Sequence, residues 1–175
     1  MQTFKIALTI IVALLLQMIL PRYVSFFGYI DLALLVTVYS GLQRAPVLGM
    51  VTGVVAGLGE DAVQGGILGV GGFSKTLIGY LVGVASVRLS LENPLARLSV
   101  VAVASAANTV LFVGLHQMLE QPLPHVSTWA DFGRTIAWKT LGDTVASIVL
   151  FVLLDRLFSE QATARRMAIK KRFYE

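Results

Sequence analysis

The chain has 175 residues, of which 56% are hydrophobic and 14% charged, with a net charge of +4 and a mean hydropathy of +0.78. Soluble domains carry about 25% charged residues, so a water-soluble fold of this size has nowhere to hide so much apolar surface. The absence of cysteine excludes disulfides, thiolate catalysis and cysteine-based zinc or iron–sulfur sites.

Apolar runs separated by short polar breaks follow one another along the chain, and a helical crossing takes about 17–25 residues. The first, Phe4–Leu20, stops at Pro21 and Arg22; it lacks the small-x-small pattern of a cleavage site and reads as a span, not a signal peptide. The second, Tyr29–Leu42, is short, carries Asp31 near its start and is closed by Gln43, Arg44, Ala45 and Pro46. The third is Val47–Leu58. A glycine-rich connection, Gly59–Gly72, follows, and glycine's poor helix propensity predicts that it is not helical throughout. The fourth run is Phe73–Leu89, the fifth Leu95–Leu119 and the sixth Phe132–Phe158, with an irregular surface loop expected over Glu120–Asp131, where Pro122 and Pro124 fall. The expectation is an all-α integral membrane protein: a six-span bundle over residues 1–158 and a basic tail over 159–175.

Glycines recur at four-residue spacing as Gly49, Gly53 and Gly57, and again as Gly79 and Gly83. That spacing stacks them on one helix face, where the missing Cβ lets a neighbouring backbone approach closely. These five are the candidate helix-packing or partner-facing residues. Glu60 and Asp61 lie at the end of the first ladder, where an isolated charge is expensive in hydrocarbon and so has a partner or faces water.

With a cytoplasmic amino terminus and six spans, Lys5, Arg44, Arg88, Arg97 and Arg156 fall on the inner side together with the tail cations Arg165, Arg166, Lys170, Lys171 and Arg172. Arg22, Lys75, Arg134 and Lys139 fall on the outer side or its flanks, as do Glu60, Asp61, Glu120 and Asp131. This positive-inside bias places both termini in the cytoplasm and sets Trp129 and Trp138 near the outer interface. Each tail cation near an anionic leaflet adds about 1 kcal/mol of attraction; the plain reading of the tail is a stop-transfer anchor, the sharper one a docking helix. Cations spread along one membrane face do not suggest nucleic-acid binding.

Chemical motifs are sparse. Gly69-Val70-Gly71-Gly72-Phe73-Ser74-Lys75-Thr76 comes close to the phosphate-binding loop, but Ser74 stands where the second glycine is needed and the charge bias puts the segment outside. His116 and His125 have no carboxylate at ligand spacing, and neither a nucleophile elbow nor an H-E-x-x-H pair is present. The polar residues within the spans are Asp31, Asn108, Lys139, Asp143 and Asp155. Lys139 and Asp143, four apart, are expected to neutralise one another on one helix face. Asn108 is expected to bond to another helix, and Asp31 to cap the second run or meet a partner.

The residues Asp31-Leu32, the Gly49, Gly53, Gly57 ladder running into Gly57-Leu58-Gly59-Glu60-Asp61, Leu68-Gly69 and Lys75-Thr76-Leu77-Ile78-Gly79-Tyr80 resemble the rod shape-determining MreD family. Gly59 and Ile30 depart from that family's pattern, with Asp61 at its acidic position. The resemblance implies a non-enzymatic scaffold with no cofactor in the bacterial inner membrane. It would bind the bitopic protein MreC, and through it RodA, the partner transpeptidase and MreB, in support of lateral peptidoglycan synthesis. It also implies a fold similar to the substrate-binding subunits of energy-coupling-factor transporters, which supplies the alternative of a vitamin- or small-molecule-binding subunit.

Overall fold

A computed structural model describes the backbone of residues 2–23, 25–89, 93–120 and 128–172, and the side chains of residues 5–23, 26–89, 93–120 and 128–156. The helices are α1 (Gln2–Tyr23), α2 (Leu32–Leu42), α3 (Pro46–Gln64), α4 (Val70–Arg88), α5 (Pro94–Met118) and α6 (Trp129–Arg172), with a 3₁₀ turn at Ser25–Tyr29 and no strand among the described residues. All but α2 are long and apolar enough to cross a membrane. The chain is therefore an all-helical bundle with five helices of spanning length.

The difference from the expected six spans lies in α2. Its 11 residues rise only about 16 Å, roughly half the hydrocarbon thickness of about 30 Å. Asp31 stops the helix from starting earlier by acting as its N-cap, accepting the amide of Leu34 at 2.8 Å. Every residue from Ala33 to Gly41 is buried, so α2 is the central rod of the bundle and not a lipid-facing one. Two of its hydroxyls are satisfied within the helix, Thr37 donating to the Ala33 carbonyl at 2.8 Å and Ser40 to that of Val36 at 2.9 Å, while the Tyr39 hydroxyl donates to Asp155 Oδ1 of α6 at 2.9 Å.

Around this rod each longer helix turns in a stripe and leaves the rest to lipid. On α1 the stripe is Ile6, Ile10 and Ala13, packed with Ala33, Val36 and Ala56, while Leu8, Ile11, Leu15 and Ile19 stay exposed. On α5 the buried set is Val101, Ala104, Ser105, Asn108, Thr109 and Val113, spaced three and four apart as one helix face requires. Ile30, Leu34, Leu35, Val38 and Tyr39 meet Ile78, Val82, Val101 and Phe151 in the main apolar cluster.

Helices α3 and α4 form the closest pair, and both glycine ladders are spent there. A Cβ at Gly53 would lie 2.6 Å from the carbonyl carbon of Lys75, and one at Gly57 2.6 Å from the Cα of Gly72. One at Gly49 would lie 2.9 Å from the Cα of Gly41, one at Gly79 2.8 Å from Thr37 Cγ2, and one at Gly83 2.9 Å from the nitrogen of Pro46. All five glycines named from the sequence thus face neighbours inside this chain. The predicted connection Gly59–Gly72 is mostly helix: α3 continues to Gln64, α4 begins at Val70, and the break is confined to 65–69. Gly65 and Gly69, with φ of 68° and 103°, supply the left-handed backbone this turn needs.

The expected loop Glu120–Asp131 is shorter at its far end, because α6 begins at Trp129. Thr128 caps it: Asp131 Oδ2 accepts the Thr128 amide at 3.1 Å, and Thr128 Oγ1 accepts the Asp131 amide at 3.2 Å. Pro122, Pro124 and His125 lie outside the described residues. Helix α6 runs unbroken to Arg172, past the residue-158 boundary expected from hydropathy. The side chains of Arg165, Arg166, Lys170, Lys171 and Arg172 lie outside the described residues.

Candidate functional site

One end of the bundle gathers the end of α1, the start of α2, the end of α3 and the start of α4. Lys75, one turn into α4, is 1% exposed and is held between two carboxylates. Its Nζ lies 2.8 Å from Asp31 Oδ2 and 2.5 Å from Glu60 Oε2. Coulomb attraction of this kind is strong where water is excluded, and removing one partner leaves a buried charge uncompensated.

Each carboxylate of the centre is tied to further helices. Glu60 Oε1 accepts from Gln17 Nε2 of α1 at 2.7 Å and from Gln64 Nε2 at 3.0 Å. Gln17 in turn uses its Oε1 to accept the Ala33 amide of α2 at 3.2 Å. The Asp31 amide donates to Asp143 Oδ1 of α6 at 2.7 Å, and Ser105 of α5 donates to Asp143 Oδ2 at 2.5 Å. Asn108 Nδ2 of α5 lies 3.5 Å from Asp31 Oδ2. Through these bonds all six helices meet in one polar network.

Asp61 forms a separate element beside it. Its Oδ2 accepts the amides of Gly69 at 2.8 Å and Gly72 at 3.2 Å, and its Oδ1 accepts that of Gly71 at 3.1 Å. These are orphan amides at the amino end of α4, so a buried anion there is satisfied by donors and by the helix dipole together. Gly71 is needed because a Cβ there would lie 3.1 Å from the Asp61 carboxyl carbon. The segment that resembled a phosphate loop therefore cradles the protein's own carboxylate, and its lysine is engaged by Asp31 and Glu60.

The expected pairing of Lys139 with Asp143 is not what the structure shows. Asp143 is 1% exposed and turned toward Ser105 and the Asp31 amide. Lys139 is half-buried with its Nζ 5.9 Å from the centre of the Phe112 ring. Tertiary partners on α2 and α5 outcompete the neighbour one turn away. Lys75 is the member of the centre that sequence reasoning left among flanking charges, and Glu60 is expected from sequence to have a partner or face water, without that partner being named. A signal for them existed: a lysine one turn beyond a diglycine in an apolar run, with two acids one helix earlier.

The architecture and this network define a class: a polytopic membrane helix bundle knit by small-residue packing and an internal ionic centre. Among the described residues no cluster of His, Asp and Glu is placed to hold a metal ion. The family model for the rod shape-determining protein MreD matches residues 1–160, and the chain belongs to that family. No curated protein and no solved structure matches it. Membership makes it a component of bacterial cell-shape determination and of the rod-shape complex, and together with the apolar helices it makes it a multi-pass inner-membrane protein.

Proposed function

We propose that this chain is a non-enzymatic scaffold that seats the membrane helix of MreC and thereby links RodA, its transpeptidase partner and MreB to lateral peptidoglycan synthesis. The observation that carries this reading is where the small residues remain once the ladders are spent. Between α4 and α5 an apolar groove of about 310 Å³, lined in part by Leu81, Ala85, Ser99, Val103 and Ala107, opens on the lipid side. In lipid, helices associate by close packing over small residues, and this groove offers such a face without disturbing the core. The partner contact is then made by α4 and α5 rather than by Gly49, Gly53 and Gly57, whose role is to stiffen the platform behind it.

The Ser25–Tyr29 turn and α2 together complete a sixth crossing in this reading. Both termini then face the cytoplasm, and the membrane domain over residues 1–158 hands over to a basic tail that rests on the inner leaflet. The chain has no cysteine, so single cysteines at residues 2, 44, 91, 126 and 170 report sidedness directly. Labelling of 2, 44, 91 and 170 from inside and 126 from outside is expected; termini on opposite sides would remove the sixth crossing.

Ala85→Phe and Ala107→Phe are the test of the groove. Both variants are expected to insert at wild-type levels and to lose co-purification of MreC. Retention of MreC by both would move the contact elsewhere. A cavity of about 400 Å³ between the end of α5 and the start of α6, lined by Gln117, Thr128, Trp129 and Phe132, favours the second reading as a small-molecule-binding subunit. Recovery of an ATPase pair with its coupling subunit, in place of MreC, would decide for it.

A further inference from the structure

A cavity of about 360 Å³ opens between the end of α1, the 3₁₀ turn and the end of α3. Ligand pockets run from about 300 to 1,000 Å³, so it has room for a small polar group. Its lining is mixed. Leu14 and Met18 give it an apolar wall, and Gln17, Glu60 and the exposed Gln64 supply polar groups. Arg22 also lines it; this exposed residue sits where α1 ends and forms no ion pair among the described residues.

The two charges in this cavity are not neutralising one another. Glu60 is committed to Lys75 and to the amides of Gln17 and Gln64, while Arg22 meets no carboxylate at ion-pair distance among the described residues. A guanidinium is a strong bidentate partner for phosphate. A carboxylate has lone-pair capacity beyond the three donors it already meets. A cation with no ion pair among the described residues, an acid and an apolar wall, all lining one cavity, supply a partner for each part of a zwitterionic lipid: phosphate, ammonium and acyl chains.

We infer that this cavity is a binding site for an ethanolamine-type phospholipid, with Arg22 taking the phosphate and Glu60 with Gln64 taking the primary ammonium. The lipid would bridge α1 to α3 beside the ionic centre. The site is distinct from the α4–α5 groove and stands whether or not MreC binds there.

The test uses the full chain purified in a mild detergent and delipidated. Dioleoyl phosphatidylethanolamine, phosphatidylcholine and phosphatidylglycerol are added in turn, and bound lipid is read by native mass spectrometry alongside the melting temperature. Phosphatidylethanolamine is expected to be retained at least about tenfold better than phosphatidylcholine, whose trimethylated amine cannot donate a hydrogen bond to Glu60. Arg22→Gln should cut retention by about tenfold, the factor that corresponds to losing one charge-assisted contact. Met18→Trp, which fills the cavity from the lipid side and leaves Glu60 and Lys75 in place, should abolish retention without unfolding the bundle. Equal retention of the three lipids, unchanged retention in both variants, or displacement by soluble phosphoethanolamine alone would each overturn the assignment.

Discussion

The α3–α4 interface and the α5–α6 interface join helices in lipid by opposite means. At the first, side chains are removed: Gly49, Gly53 and Gly57 lie against Gly79, Lys75 and Gly71 with backbone touching backbone. At the second, a side chain is added, with Ser105 reaching Asp143 at 2.5 Å across apolar surroundings. Lipid tails are as apolar as leucine, so burial alone does not drive helices together, and each pair needs another source of affinity. Close packing gives many small contacts that any displacement weakens together. A polar bridge gives one directional contact that fixes register. The ionic centre lies where the two modes meet, since Lys75 is a wall of the glycine interface and the partner of Asp31, which in turn bonds to Asp143.

That junction predicts the largest effect. Lys75→Met removes the ammonium between Asp31 and Glu60 and leaves two carboxylates without their cation. Breaking a buried pair in this way costs about 3–5 kcal/mol, and the purified protein should show a markedly lower melting temperature or fail to accumulate in the membrane. Adding Asp31→Asn and Glu60→Gln to the same chain should recover a large part of the loss, because the two carboxylates that lysine neutralised are gone. A single variant as stable as wild type would show that the centre does not hold the bundle together.

The packing side of the contrast is sharpened by comparing glycines. Gly53→Leu must push α3 and α4 apart by a side chain and should cost at least about 1–3 kcal/mol. Gly114, on α5, has nothing within 4 Å of its ideal Cβ, so Gly114→Ala should be neutral or raise stability by up to about 1 kcal/mol through helix propensity. The melting temperature should therefore fall for Gly53→Leu and hold or rise for Gly114→Ala. Equal behaviour would mean that glycine spacing on α3 carries no packing role.

Asp61→Asn should have an intermediate effect. An amide keeps a single acceptor oxygen where the carboxylate serves three backbone donors, and an unsatisfied buried donor costs about 1–3 kcal/mol. Hydrogen exchange at Gly69, Gly71 and Gly72 should speed up while exchange in α2 stays slow. Uniform acceleration throughout the chain would instead place Asp61 in the global core.

Much of this was legible in the sequence, and what was not has a common cause. The helix runs, the glycine faces and the capping acid Asp31 depend on spacings of two to seven residues, which a linear reading captures. The partner of each glycine face, the short reach of α2 and the pairing of Asp31 and Glu60 with Lys75 depend on which helices become neighbours. Asp31 and Lys75 are brought together only after α2, α3 and α4 have folded back on one another. Charge counting placed Lys75 among outer flanking cations because orientation rules weigh position along the chain, not burial.

Lys139 is the smallest and most discriminating case, because local spacing and tertiary geometry disagree about it. If it neutralised Asp143 one turn away, Lys139→Gln would leave a buried carboxylate unpaired and cost as much as the Lys75 variant. With its Nζ over the Phe112 ring and Asp143 held by Ser105 and the Asp31 amide, the loss should be only about 0.5–1 kcal/mol. Phe112→Leu should cost a similar amount, and the double variant little more than either single one, since both remove the same contact. Additive losses would mean that Lys139 acts on Asp143 after all, through the field of the centre rather than through a bond.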